Sequence, residues 1–179
     1  GGPHINTIAA IAHIFKIAKT ESYKKIQAQV IKNTVAFADQ LKARGLRIPY
    51  GGTNTHLALL DCKSIHSDDG AYLTGDMGAR ILDAAGIVAN SNTIPGDRST
   101  FTATGIRFGT TILTQRCLKE DDLKKVADII ADLLESTTPY FMSDKNIRQL
   151  RAKVDFRALE EAKLAVETIA DHGQCFIPH

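Results

Sequence analysis

Between Ser99 and Arg116 the chain reads STFTATGIRFGTTILTQR, and the only charge between its two ends is Arg107. Ile106 and Phe108 flank that arginine, and Gly105 and Gly109 bracket the triplet. In a strand the side chains alternate, so Ile106 and Phe108 enter a core while Arg107 projects from the opposite face. The glycines permit another group to approach the backbone. A guanidinium desolvated by such neighbours needs an anion, and its planar fork suits a carboxylate or a phosphate bidentately. That anion is either a bound ligand or a carboxylate of the protein itself, since buried charges are paired.

The other candidate groups promise less. None of the six histidines shares a metal-ligand spacing with the three cysteines, and a lone histidine is more often structural than catalytic. His13 is expected to be packed or at a helix boundary, and His66 and His172 to lie exposed in polar turns. Asp61 and Asp97 read as residues that fix turns rather than as general acids. Cys62, Cys117 and Cys175 are widely spaced and odd in number, which points to reduced thiols and a cytoplasmic protein.

Several elements must position Arg107. Ile5, Ile8, Ile11, Ile14, Phe15 and Ala18 form one stripe of a first helix, apolar enough to be well buried. A second helix is expected from Ser22 to Arg44, with Tyr23, Ile26, Val30, Phe37 and Leu41 inward and Gly45 as its stop. His56 to Asp61 reads as a short strand with Leu57 and Leu59 on one side. After a polar loop, Thr74 caps a helix to Asp83, with Met77, Ile81 and Leu82 inward and Gly86 ending it. Ile87 to Ala89 reads as a short strand, Asn90 to Thr100 as a loop turning at Pro95-Gly96-Asp97, and the chain after Thr110 as a further extended piece to Arg116. A helix then starts at Asp121 or Asp122, with Leu123, Val126, Ile130, Leu133 and Leu134 inside. Beyond Ser136, Pro139-Tyr140-Phe141 reads as a linker, followed by helical patterns over 144–154 and 156–171, the second ended by Gly173. This order predicts a two-layer α+β fold, a small and mostly antiparallel sheet covered by helices, over residues 1–135, with 136–179 as a helical extension.

Composition agrees with a globular protein. The 179 residues are 44% hydrophobic and 23% charged, enough for one ordinary core. A net charge of only +2, with no basic run among aromatics, gives no support to nucleic-acid binding. Asn6, His13 and Lys16 interrupt the apolar stretch Ile5 to Ala18, which is short of a membrane span of about 20 residues and lacks the features of a signal peptide.

Four segments, GGPHINTIAAIA, GGTNTHLALLD, NSNTIPGDRS and TGIRFGTTILTQR, occur in this order and resemble the C-terminal portion of serine hydroxymethyltransferases. The resemblance implies the small C-terminal domain of fold-type I pyridoxal-phosphate enzymes and the interconversion of serine and glycine with tetrahydrofolate. By this resemblance Arg107 holds the carboxylate of the amino-acid substrate, and Arg116 is a second arginine near the same site, giving electrostatic support or forming an ordinary ion pair. Asn92 corresponds to an asparagine that hydrogen-bonds the folate ring, a task for which an amide offers both donor and acceptor, while Asn90 shapes the loop. Gly1 and Gly2 match glycines whose backbone approaches the cofactor phosphate across a dimer interface, or they simply stand at the chain's end.

Departures from the family pattern are Ser91 where relatives often have lysine, Thr111 where they usually have proline, and Cys117 where they usually have glycine. Ser91 and Thr111 raise the alternative of a folate-independent aldolase or transaldolase acting on β-hydroxy amino acids, and the absence of the lysine-bearing domain, with an unassigned helical tail, that of a non-catalytic assembly module. The motifs offer no counterpart for the tail after Ser136. In the family the cofactor-bearing lysine lies in a large N-terminal domain before the GGPH motif, and Lys16, Lys19, Lys24 and Lys25 on polar helical faces do not replace it. The chain is therefore expected to be inactive alone and to need that domain, within a homodimer, with no metal.

Overall fold

A computed structural model describes residues 2–99, 102–144 and 147–172. Helix α1 spans Ile5–Ala18 and α2 spans Glu21–Ala43. The Thr20 side chain caps α2 by accepting from the Tyr23 amide at 3.3 Å, and Gly45 follows its end at φ +85°. Strand β1 is Leu57–Asp61, α3 Gly75–Ala84, β2 Asn90–Asn92 and β3 Gly105–Gly109. They are followed by α4 (Thr111–Gln115), α5 (Glu120–Glu135), β4 (Thr138–Asp144), β5 (Ile147–Lys153) and α6 (Phe156–His172).

The three-stranded sheet has the order β1-β3-β2, with both pairings antiparallel. Its inner face carries Ala58, Leu60, Ile106 and Phe108, all buried against the helices. Phe37 of α2 meets Phe108 edge-on, with ring centroids 5.3 Å apart. Helix α3 lies close to the sheet through its glycines. A Cβ on Gly78 would stand 2.7 Å from Ile106 Cδ1, and one on Gly75 2.1 Å from the Gly105 carbonyl oxygen. Helix α5 completes the layer with Leu123, Ile130 and Leu134. Arg44 ties it to α2 through Asp132 at 2.6 Å, Glu135 at 3.1 Å and Asp128 at 3.3 Å. The result is a two-layer α+β fold.

Buried polar groups join α2 to α4. Asn33 Nδ2 donates to Thr114 Oγ1 and to the Leu118 carbonyl, each at 2.8 Å, and the Thr34 and Thr110 hydroxyls share a 2.6 Å hydrogen bond. Thr114 Oγ1 in turn donates to the Thr110 carbonyl at 2.9 Å. Every buried side-chain nitrogen or oxygen among the described residues has a partner.

Several expectations need correction. Helix α1 has no buried residue, and Ile5, Ile8, Ile14 and Phe15 are all at least half exposed; His13 is exposed mid-helix rather than packed. Tyr23 stays at the surface. In β1, Leu57 and Leu59 share one side as expected; it is the half-covered side, and the buried face is Ala58 and Leu60. The strand expected at Ile87 to Ala89 begins three residues later, at Asn90. The extended piece after Thr110 is α4, because the Thr110 and Thr114 hydroxyls are satisfied within a helical turn held against α2. The expected linker and first tail helix are instead the hairpin β4-β5, paired from Thr138↔Lys153 to Asp144↔Ile147. Helix α6 packs on the rest through buried Ala162, with Leu159 and Ile169 beside the same core, whereas Phe156 is exposed. Gly173 and Cys175 lie outside the described residues. No helix among the described residues is long and apolar enough to cross a membrane.

Cys117 adopts φ +65°. A side chain in this left-handed region is strained by about 1–2 kcal/mol. Cys117→Gly is therefore expected to raise the urea midpoint by an amount equivalent to about 1 kcal/mol. Phe108→Ala is expected to lower stability by about 3–5 kcal/mol in the same assay.

Candidate functional site

Register determines which side chains share a face. Arg107 is directly opposite Leu59 on β1 and Asn90 on β2, and Asn92 is opposite Gly105. Opposed residues in antiparallel strands project the same way, so Arg107, Asn90 and Asn92 stand on the sheet face away from the buried Ile106 and Phe108. Leu57 and Leu59 give that face a half-covered apolar side. Arg107 is exposed, and among the described residues its side chain makes no hydrogen bond or ion pair. A guanidinium on an open face beside two amides and two leucines is suited to receive a small carboxylate whose polar atoms meet the amides.

The glycines around Arg107 play different parts. A Cβ on Gly105 would stand 2.4 Å from Ile94 Cγ2 and 2.6 Å from the Asn92 carbonyl oxygen, so what approaches the backbone there is the neighbouring strand. At Gly109 a Cβ would meet only Leu57 Cδ2 at an ordinary 3.6 Å. Asn90, expected to shape a loop, sits instead at the start of β2, and its Nδ2 donates to the Ser91 carbonyl at 3.2 Å. Asn92 Nδ2 donates to the Thr93 carbonyl at 2.7 Å. Ser91 is opposite Ile106, so a lysine at this position would leave β2 on the face opposite Arg107.

Arg116 occupies the C-cap of α4, and its guanidinium donates to the Ala170 carbonyl near the end of α6. The register that unites Arg107, Asn90 and Asn92 does not include it. Gly2 is exposed just before α1, with nothing within 4 Å of where a Cβ would stand, and Gly1 lies outside the described residues. His4 is the N-cap of α1 without a side-chain cap bond, and His56 is exposed. Burial in the core, reinforced by the neighbouring Asp61 charge, pushes the Cys62 thiol far above its ordinary range and leaves it unsuited to nucleophilic work. No cluster among the described residues could hold a metal ion.

One residue matters more than the sequence suggested. The Ile94 carbonyl accepts from the Asp97 amide at 3.0 Å across Pro95 and Gly96, and Gly96 has φ +99°, the geometry of a type II turn. The Asp97 carboxylate then accepts from the Ile94 amide at 3.1 Å, the Thr104 amide at 2.9 Å and Thr104 Oγ1 at 2.6 Å, with Lys63 Nζ 3.6 Å away. Burial alone would raise its pKa, but the Thr104 and Ile94 hydrogen bonds and the Lys63 charge outweigh it and hold the group below its ordinary 3.8. Asp61 has a comparable local role, accepting from the Lys63 amide at 2.9 Å and pairing with Arg47.

Because the folded pKa of Asp97 is the lower one, its stabilisation is present above pH 3.8 and is lost as pH falls through the folded value. Asp97→Ala is expected to cost about 2 kcal/mol at pH 7. Urea titrations should show that difference shrinking progressively below about pH 4.

The family model of serine hydroxymethyltransferase matches residues 1–130. The mitochondrial serine hydroxymethyltransferase of Candida glabrata is 38% identical over 179 residues, covering 99% of this chain and 36% of that protein. Its alignment thus runs through the tail, for which the motifs offered no counterpart. The serine hydroxymethyltransferase of Bombyx mori is 45% identical over 130 residues, covering 73% of this chain and 27% of that protein. The chain spans about a third or less of the length of these curated relatives, and both are enzymes by name. With the family model matched from the first residue through most of α5, the chain belongs to the serine hydroxymethyltransferase family.

Proposed function

We propose that this chain supplies the substrate-binding part of a pyridoxal-phosphate-dependent transferase that interconverts serine and glycine with tetrahydrofolate. Residues 1–135 form its small C-terminal domain, and 136–179 an extension packed on that domain through α6. The observation that carries the reading is Arg107 on the open sheet face, exposed beside Asn90 and Asn92.

In this reading Arg107 takes the carboxylate of serine or glycine bidentately and thereby orients the bond to be broken. Asn92 meets the folate ring with the donor and acceptor of its amide. Leu57 and Leu59 exclude water from one side of the bound substrate. Arg116 supports the site from α4, adding positive charge while its hydrogen bond to Ala170 secures α6. Pyridoxal phosphate, when bound, supplies an electron sink for the substrate. The open backbone at Gly2, ahead of the unpaired amides of the first turn of α1, fits a phosphate contributed across a dimer interface, with Gly1 beside it. The lysine that carries the cofactor belongs to the part of the relatives this chain does not span; Lys16, Lys19, Lys24 and Lys25 are all exposed. The exposed apolar side chains of α1 suit contact with that N-terminal domain. The isolated chain is inactive in this proposal, and the complete enzyme is a cytoplasmic homodimer, although the C. glabrata relative is named as mitochondrial.

In the full-length enzyme, Arg107→Ala is expected to lower kcat/KM for serine by about 10²-fold or more while the cofactor remains bound, as judged by its absorbance. Unchanged serine or glycine affinity in that variant would refute the assignment. When the isolated chain is incubated with pyridoxal phosphate and reduced with borohydride, intact mass is expected to show no stoichiometric label on a single lysine.

A further inference from the structure

We propose that Asp97 is the positioning residue that fixes the distance between the folate-binding amide and the carboxylate-binding guanidinium; this rests on the roles given above to Asn92 and Arg107. Asn92 and Arg107 lie on different strands, and only three residues of β2 hold those strands together. Beyond Asn92 the chain leaves the sheet, turns at Pro95-Gly96, and returns to β3 through Thr104. The Asp97 carboxylate closes this excursion. It accepts from the amide of Ile94, two residues past Asn92, and from both the amide and the hydroxyl of Thr104, three residues before Arg107. Its side chain is only 3% exposed, and Lys63 holds it from the turn that follows β1, so all three strands converge on one carboxylate. Ile94, buried in the same turn, packs where a Cβ on Gly105 would stand and keeps β2 at its close approach. A short edge strand joined at one end by a charged, buried acceptor holds its register there and is free to splay without it.

The test uses the full-length enzyme loaded with pyridoxal phosphate. Equilibrium binding of glycine and of tetrahydrofolate, together with thermal unfolding, is measured for wild type, Asp97→Asn, Thr104→Val and Asn92→Ala. A positioning role predicts that Asp97→Asn weakens tetrahydrofolate binding about tenfold and glycine binding by no more than about twofold, because glycine needs Arg107 alone whereas folate needs Asn92 held against it. Thr104→Val, which removes one of the three protein hydrogen bonds to the carboxylate, is expected to give a smaller loss in the same direction and serves as the test if Asp97→Asn does not fold. A lowered melting temperature with both affinities unchanged would show a merely structural role and overturn the proposal. Should Asn92→Ala weaken folate binding while the Asp97 and Thr104 variants do not, the positioning role fails alone. Should Asn92→Ala leave folate binding unchanged, the folate assignment itself fails and takes this inference with it.

Discussion

Strand β3 is hydrogen-bonded on both sides, and that placement allows a single charged residue to stand between two buried core side chains. A central strand cannot rotate about its axis without breaking two ladders, so the alternation along Gly105-Ile106-Arg107-Phe108-Gly109 is rigidly expressed in space. Ile106 and Phe108 anchor the inner face in the layer built by α2, α3 and α5. Arg107 has no freedom to follow them inward. The hydrophobic core thus sets the direction of the guanidinium.

The exits of β3 are controlled by polar groups rather than by further apolar packing. At its start, Gly105 admits Asn92 and Ile94 to distances that a side chain would forbid, and Gly75 does the same for the N-terminus of α3 against the Gly105 carbonyl. At its end, Thr110 and Thr114 turn the chain into α4 and hold it on Asn33 and Thr34 of α2. Hydrogen bonds buried among apolar side chains are directional and costly to leave unmade, so they specify one arrangement where hydrophobic contact alone would tolerate several. Arg116, at the far end of α4, passes the same constraint on to α6.

The sequence made legible what depends on short-range pattern. The Arg107 alternation, the cap at Thr74, the stops at Gly45 and Gly86 and the apolar stripe of α5 follow from residue spacing and appear as expected. What spacing did not show depends on partners distant in the chain. Asn90-Ser91-Asn92 is a poor strand by propensity and forms one because β3 offers an edge. Ala58 is buried in preference to the larger Leu57 and Leu59 because register with β3 places those leucines on the open face. Ile147, Leu150 and Val154 fall at helical spacing, yet pairing with β4 makes a hairpin of the first two. The run Thr110 to Thr114, rich in β-branched residues, becomes helical once its hydroxyls find buried acceptors. The role of Asp97 could be suspected from its place after Pro95-Gly96, but not the identity of Thr104 as its partner.

The order β1-β3-β2 also governs how the sheet comes into being. The two outer strands are both made before the central one, and they have no ladder to each other. Leu57 must wait for Gly109 and Asn92 for Gly105, so during synthesis the edges of β1 and β2 emerge unpaired and close together only when β3 slots between them. Helix α2 and the segment through α3 can fold locally in that interval, but the surface that carries Arg107 is assembled in the same event as the sheet. For a chain growing from the ribosome, the face that carries Arg107 and the core mature together.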